Sequence, residues 1–175
     1  MWDNYFKDDP FALKLKRERM KPWTGGLVIQ ENFIYDSLPV QTMSALGGST
    51  YRPGIATLST NINQIGGADA FSWVYDAATG NKVNNGSSTA YGSGYGNAAK
   101  IGVALDMGSG KVWFALNGTW QNSGDPAAGT NAAFSGLSGT LYALASQNDN
   151  GFNITANFSG VGMTIAIPSG FTGGL

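Results

Sequence analysis

From residue 45 onward the chain is built of short apolar runs separated by glycine, serine and asparagine. The runs IATLST from Ile55, AFSWVYD from Ala70, KIGVALDM from Lys100, KVWFALNG from Lys111, TLYALASQ from Thr140, NITANFS from Asn153 and MTIAIP from Met163 have the length of strands, not helices. In two of them the alternation is plain. Ile101, Val103 and Leu105 fall on one face of an extended segment, and Val112, Phe114 and Leu116 on one face of the next. Between these two lies Asp106-Met107-Gly108-Ser109-Gly110, whose glycines permit the positive φ of a tight reversal, so the pair is predicted to be a hairpin. A second turn, Asn117-Gly118, ends the second strand. Many short strands, turn chemistry between them and no long helical period predict an all-β, antiparallel sandwich. Trp73, Trp113, Phe114, Phe134 and Phe158 are expected in its core.

The front of the chain follows a different pattern. Asp8 or Asp9 can cap a helix, Pro10 suits its first position, Phe11, Ala12 and Leu15 share a face, and Pro22 ends it. A helix this short with one narrow apolar stripe is marginal alone and needs a partner surface. GGLVIQENFIYDSLP then predicts a turn followed by an extended segment. Charge marks a seam: residues 1–36 hold 12 of the 21 charged residues, and only nine follow. The seam is placed between Pro39 and Gly48, giving a docking arm over residues 1–45 and a sandwich over 46–175. Trp2, Tyr5, Phe6, Phe11, Leu15, Trp23, Ile29 and Tyr35 are the candidate docking residues, because aromatic and branched anchors dominate interfaces. The alternative is that the arm folds back on the downstream domain.

Composition narrows the chemistry. A net charge of −1, with charged residues only 12% of the total, gives no electrostatic footprint for nucleic acid or an anionic membrane. The chain has no Cys and no His, which removes disulfides, thiolate metal sites and every Ser-His-Asp or Cys-His mechanism. No signal peptide or membrane-spanning run is recognised, so synthesis in a cytosol without membrane insertion is expected. The acids after the seam are Asp69, Asp76, Asp106, Asp125 and Asp149. Asp106, Asp76 and Asp149 sit where Asp caps turns, and glycoside hydrolysis would need two carboxylates facing across a cleft. QNDNG at 147–151 lacks the acidic run and closing Glu of a calcium loop, and GSGYG at 92–96 does not lead from a strand into a helix as a phosphate loop would. No metal, cofactor or catalytic residue is expected. A loop binding surface is expected instead at Tyr91, Tyr95, Trp120, Asn148 and Asn150, where aromatic area is mixed with adaptable polar groups. The alternative there is that the tyrosines and Trp120 fold inward.

Two family resemblances follow from particular residues. Ile101–Asp106, then Gly110 to Gly118 with its Val-x-Phe and Asn-Gly, then Leu141–Ser146 and the pair Asn157-Phe158, closely resemble the SPRY domain in its phage and prophage form, over roughly residues 48–172. The resemblance implies a bent sandwich of two antiparallel sheets whose loops at one end bind peptides or proteins. The chain departs from eukaryotic members in opening with STYRPGIATLST instead of Trp-Tyr-Trp-Glu, and in the looser turn Asn84-Asn85-Gly86-Ser87-Ser88. In the arm, Lys16-Arg17-Glu18-Arg19, the Gly25-Gly26 pair, Ile29 and Tyr35 resemble the N-terminal region of tailed-bacteriophage major capsid proteins. Together these imply a bacteriophage virion structural protein, capsid-associated or decorating, that binds without catalysis. Its expected partners are other virion proteins through the arm and a host surface protein or glycan through the loops. A homo-oligomer fits lattice symmetry, and the expected location is the virion. The alternatives are a receptor-binding or adhesion protein of a tail or head fibre, and a polysaccharide-acting enzyme.

Overall fold

The computed structural model describes residues 33–41, 51–96, 98–147, 153–158, 163 and 165–173, with strand backbone alone over 33–41 and 153–155. In chain order these residues form β1 (Phe33–Gln41), β2 (Tyr51–Ala56), β3 (Ser72–Tyr75), β4 (Asn81–Asn84), β5 (Ser87–Ala90), β6 (Ile101–Asp106), β7 (Lys111–Leu116) and β8 (Thr119–Trp120). A 3-10 turn at Gln121–Ser123 follows, then β9 (Tyr142–Gln147), β10 (Asn153–Asn157) and β11 (Thr172–Gly173). One sheet runs β10-β1-β6-β7-β8, with β11 also paired to β1; the other runs β5-β4-β3-β2-β9. All pairings are antiparallel except the short β1–β11 contact.

The expected hairpin is β6–β7, in register from Ile101↔Leu116 to Asp106↔Lys111. Two further hairpins turn on Asn-Gly. Asn85-Gly86 has φ of 51° and 71°, and Asn117-Gly118 has φ of 49° and 89°. Both are two-residue reversals with positive φ at each position, the geometry that matches strand twist and that asparagine and glycine tolerate best. What looked like a loose turn at 84–88 is thus a tight one, and it exposes β4 and β5 as strands that the alternation did not announce.

Two features of the sequence pattern are corrected. Phe33–Gln41, including Tyr35, was grouped with the arm by charge, yet it is a strand hydrogen-bonded between β6 and β10. Its pairing with β10 slips by one residue between Leu38 and Gln41, around Pro39. A proline inside a strand is accommodated at such a bulge because it has no N–H to donate. The charge seam falls instead where the chain passes from one sheet to the other. The MTIAIP run forms no strand among its described residues. The predicted helix at 10–21 lies outside the described residues.

The core between the sheets holds Ile55, Tyr75, Ile101, Val103, Leu105, Val112 and Phe114, all fully buried, with Trp73, Leu116, Phe134 and Phe158 packed against it. The outer faces are covered as well. Trp113, Ala104 and Ala115 point away from that core and are nonetheless buried, because the segment 163–173 crosses this face. Phe171 meets Trp113 edge-on at 6.3 Å, and Ile165 and Met163 pack on Ala115 beside Trp120. Gly102 supplies the notch for this strap: a Cβ there would stand 2.0 Å from Ile165 Cδ1. Overpacking of this kind costs about 1–3 kcal/mol. Gly102→Ala is therefore expected to lower stability in chemical denaturation by that order, and adding Ile165→Ala to it should cost less than the sum of the two single changes. An additive double variant would show that strap and notch are not in contact.

Candidate functional site

One end of the sandwich carries the predicted loop aromatics, and the structure turns them inward. Tyr75 on β3 stacks on Phe114 of β7 at 5.7 Å, and Tyr91 meets both rings edge-on. Tyr95 packs on Tyr75 at 5.0 Å and edge-on to Tyr51. The hydroxyls are spent on backbone: Tyr91 Oη accepts from the Phe114 N–H, Tyr95 donates to the Tyr75 carbonyl, and Tyr75 donates to the Ser93 carbonyl. Gln121 Oε1 accepts from the Ser93 N–H, fixing the segment that delivers Tyr91 and Tyr95. Tyr91 is only 5% exposed, and Tyr95 and Trp120 are half-buried. Tyr75, Tyr91 and Tyr95 pack between the two sheets where the strands run out, and Trp120 packs separately beside Ala115 and Ile165. Asn148 and Asn150 lie outside the described residues, as do Trp2, Tyr5, Phe6, Phe11, Leu15, Trp23 and Ile29.

Burial raises the Tyr75 phenol to about 12, with the neighbouring Tyr91 adding to the effect, and burial raises Tyr91 to about 12. A raised folded value means the stabilisation is complete below the ordinary value of 10.0 and is lost as pH climbs through the folded one. Phenolate absorbance should show two of the seven tyrosines ionising late, with stability falling across that window of pH. Seven phenols titrating together near the ordinary value would contradict the buried bridge.

The opposite end presents what the sequence did not announce. The β2–β3 loop, residues 57–71, folds back over the outer face of the β5–β9 sheet. Gly66 and Gly67 lie flat on it, where a Cβ would come within 2.9 Å of Leu144 and 2.8 Å of Val74 respectively. Ser146 Oγ accepts from the Gly66 N–H and Ser72 Oγ from the Gly67 N–H. Arg52 donates through Nη1 to the Gly66 carbonyl and through Nε to Asp76 at 2.6 Å, an ion pair whose carboxylate is almost fully buried. Asp76 also accepts from the Thr79 N–H and hydroxyl, as expected of a turn residue. Asp69 pins the loop's two ends: its carboxylate accepts from the Asn61 and Phe71 N–H groups and the Ser72 hydroxyl. Burial tends to raise its pKa, but these hydrogen bonds outweigh burial and leave it below the ordinary 3.8.

On this fixed loop Leu58 is 79% exposed, Ile62 91% and Phe71 46%. Tyr142, 37% exposed, lies on β9 opposite Ala56, where the loop begins. Asp69 is the only charged residue between 57 and 71, and its oxygens are taken. The apolar pattern places Leu58 in the strand run IATLST and Phe71 in the strand run AFSWVYD, whereas β2 ends at Ala56 and β3 begins at Ser72, which leaves both on the loop.

Among the other acids, Asp106 caps the β6–β7 turn through the Ser109 N–H and hydroxyl, and Asp125 accepts from the Ala128 N–H. Each is engaged in holding its own loop. Residues 42–160 match the SPRY domain family, and with more than half of the chain covered the protein belongs to that family. SPRY domains generally serve as protein-interaction modules. A comparison with individual curated proteins finds no match.

The Asp69 geometry carries a pH prediction. Because its folded pKa is depressed, the stabilisation is complete above 3.8 and is lost as pH falls through the lowered value. Amide exchange at Asn61 and Phe71 should accelerate in that acid range ahead of the β6–β7 amides, and Asp69→Ala should produce the same acceleration at neutral pH. Ile62→Asp, by contrast, should change stability by no more than about 0.5 kcal/mol. A large loss would mean that Ile62 is structural.

Proposed function

We propose that this SPRY domain is the binding head of a bacteriophage virion protein, capsid-associated or decorating, that recognises a protein partner through the β2–β3 loop and Tyr142. One observation carries the reading of the surface. Three large apolar side chains are held out to solvent on a loop whose backbone is fixed by Asp69, Ser72, Ser146 and Arg52. Exposed apolar groups on a rigid frame mark an interaction site, and their burial on binding supplies the affinity. Leu58 and Ile62 favour a protein surface over a glycan, since aliphatic side chains offer a sugar no hydrogen bonds. The mechanism is binding, with no bond made or broken.

The virion setting is supported by the arm's resemblance to capsid-protein N-termini and by the phage-like grammar of the sandwich. In this reading the arm attaches the chain to the head lattice and the sandwich faces outward. Co-sedimentation with purified phage capsids tests it, comparing the full chain with a variant in which Trp2, Phe6, Phe11 and Trp23 are serine. The full chain is expected to pellet with the particles and the variant to remain in solution. Particles carrying the full chain should be retained by host cells, and those carrying Ile62→Asp should be retained at least about tenfold less. Equal pelleting of both chains, or of neither, would remove the lattice anchor and leave a fibre-borne adhesion role as the better account.

A further inference from the structure

We propose that the outer edge of β9 is a pairing surface for a second copy of this chain, the two β9 strands joining antiparallel about Ala145 into one continuous sheet.

The hydrogen bonds around β2 show which groups that edge offers. The Tyr51 carbonyl accepts from the Ala77 N–H, and the Thr57 N–H donates to the Phe71 carbonyl, so the odd-numbered residues of β2 turn their backbone polar groups toward β3. In an antiparallel ladder these groups change side at every residue, which leaves Arg52, Gly54 and Ala56 to bond β9. Their partners there are Ser146, Leu144 and Tyr142. Ala143, Ala145 and Gln147 accordingly direct their N–H and C=O groups the other way. β9 ends its sheet, and among the described residues no strand pairs with that side. Ala145 and Gln147 are exposed there, and Ala143 is half-buried.

An open edge is ordinarily blunted by shortness, charge, proline or a bulge. β5, at the opposite edge of the same sheet, is only four residues long. β9 has six, YALASQ, without charge, proline or glycine. Its register with β2 runs unbroken from Tyr51↔Gln147 to Ala56↔Tyr142. The usual protections are missing from this one strand.

Symmetry selects the occupant. A two-fold interface sets one patch against itself, and antiparallel pairing about Ala145 opposes Ala145 to Ala145 and, on either side, Ala143 to Gln147. Each opposed pair exchanges two backbone hydrogen bonds, so every outward group of these residues finds a partner. Opposed side chains share a face of the sheet, and here they are methyl groups and an uncharged amide, so no like charges meet. A net charge of −1 on the whole chain adds little repulsion between copies. A foreign strand would meet the same backbone groups, but selection among foreign sequences comes from side-chain recognition, and YALASQ brings no charge to it. The edge uses neither Ile62 nor the arm, so this pairing stands apart from the binding role proposed for them.

Sedimentation of the full chain over a range of concentrations is expected to show monomer and dimer in exchange. Ala145→Lys and Ala145→Glu should each weaken the dimer at least about tenfold, and an equimolar mixture of the two should restore it. At an exposed position neither change should move the denaturation midpoint appreciably. Because the chain has no cysteine, Ala145→Cys places a single thiol at the centre of the pairing. Opposed Cα atoms stand about 5.5 Å apart in such a pair, within disulfide reach. This variant should cross-link on mild oxidation far faster than Ser88→Cys on the exposed β5. A full chain that stays monomeric at every concentration would overturn the proposal. So would a dimer indifferent to charge at position 145, or cross-linking as fast through Ser88→Cys as through Ala145→Cys.

Discussion

Among the described residues, irregular chain and no α-helix lies against parts of the outer faces of both sheets. That constraint shapes the rest of the structure. On one side the strap 163–173 lies over Gly102, Trp113 and Ala115. On the other the β2–β3 loop lies over Val74, Val83 and Leu144. Irregular chain can cover a sheet only by coming close to it and by settling its own backbone polar groups as it does so. Closeness accounts for the glycines at 66, 67 and 102. Settlement accounts for the side chains of Arg52, Ser72 and Ser146, which bond the loop backbone.

The same constraint divides what could be read in the sequence from what could not. The β6–β7 hairpin was legible because both strands alternate and the turn between them is glycine-rich. The all-β class and the central cores of β3, β9 and β10 followed from run length and turn residues, whereas the IATLST run from Ile55 reaches only the end of β2, Tyr51–Ala56. β4 and β5 were not legible: NKVN and SSTA carry one buried valine between them, and only the Asn85-Gly86 geometry reveals a hairpin there. β1 was hidden for a different reason. Its neighbours in sequence are charged, and composition averages over a window, whereas strand pairing is decided residue by residue with β6 and β10.

The candidate site shows a comparable split. Tyr91 and Tyr95 sit among serine and glycine, which suggested exposure, yet ring stacking with Tyr75 and Phe114 draws them between the sheets. Burial of a tyrosine depends on a hydroxyl partner, and here that partner is backbone from β3 and β7, distant in sequence. Leu58 and Ile62 were the converse case. Nothing in a single sequence distinguishes an aliphatic residue held in solvent from one folded into a core. The distinction arises only once Gly66 and Gly67 have claimed the sheet surface and left the loop's first half nothing to cover.

The fixing of the β2–β3 loop by residues other than those it displays has an evolutionary corollary. Asp69, Ser72, Ser146 and Arg52 hold the backbone, while Leu58 and Ile62 contribute little to it. Substitutions at the displayed positions can therefore be tried by a lineage without endangering folding, and the loop loses little freedom when it meets a partner. If the loop is the contact face proposed above, a frame built this way is suited to changing its target quickly, since the residues that hold the backbone and those that are displayed are separate.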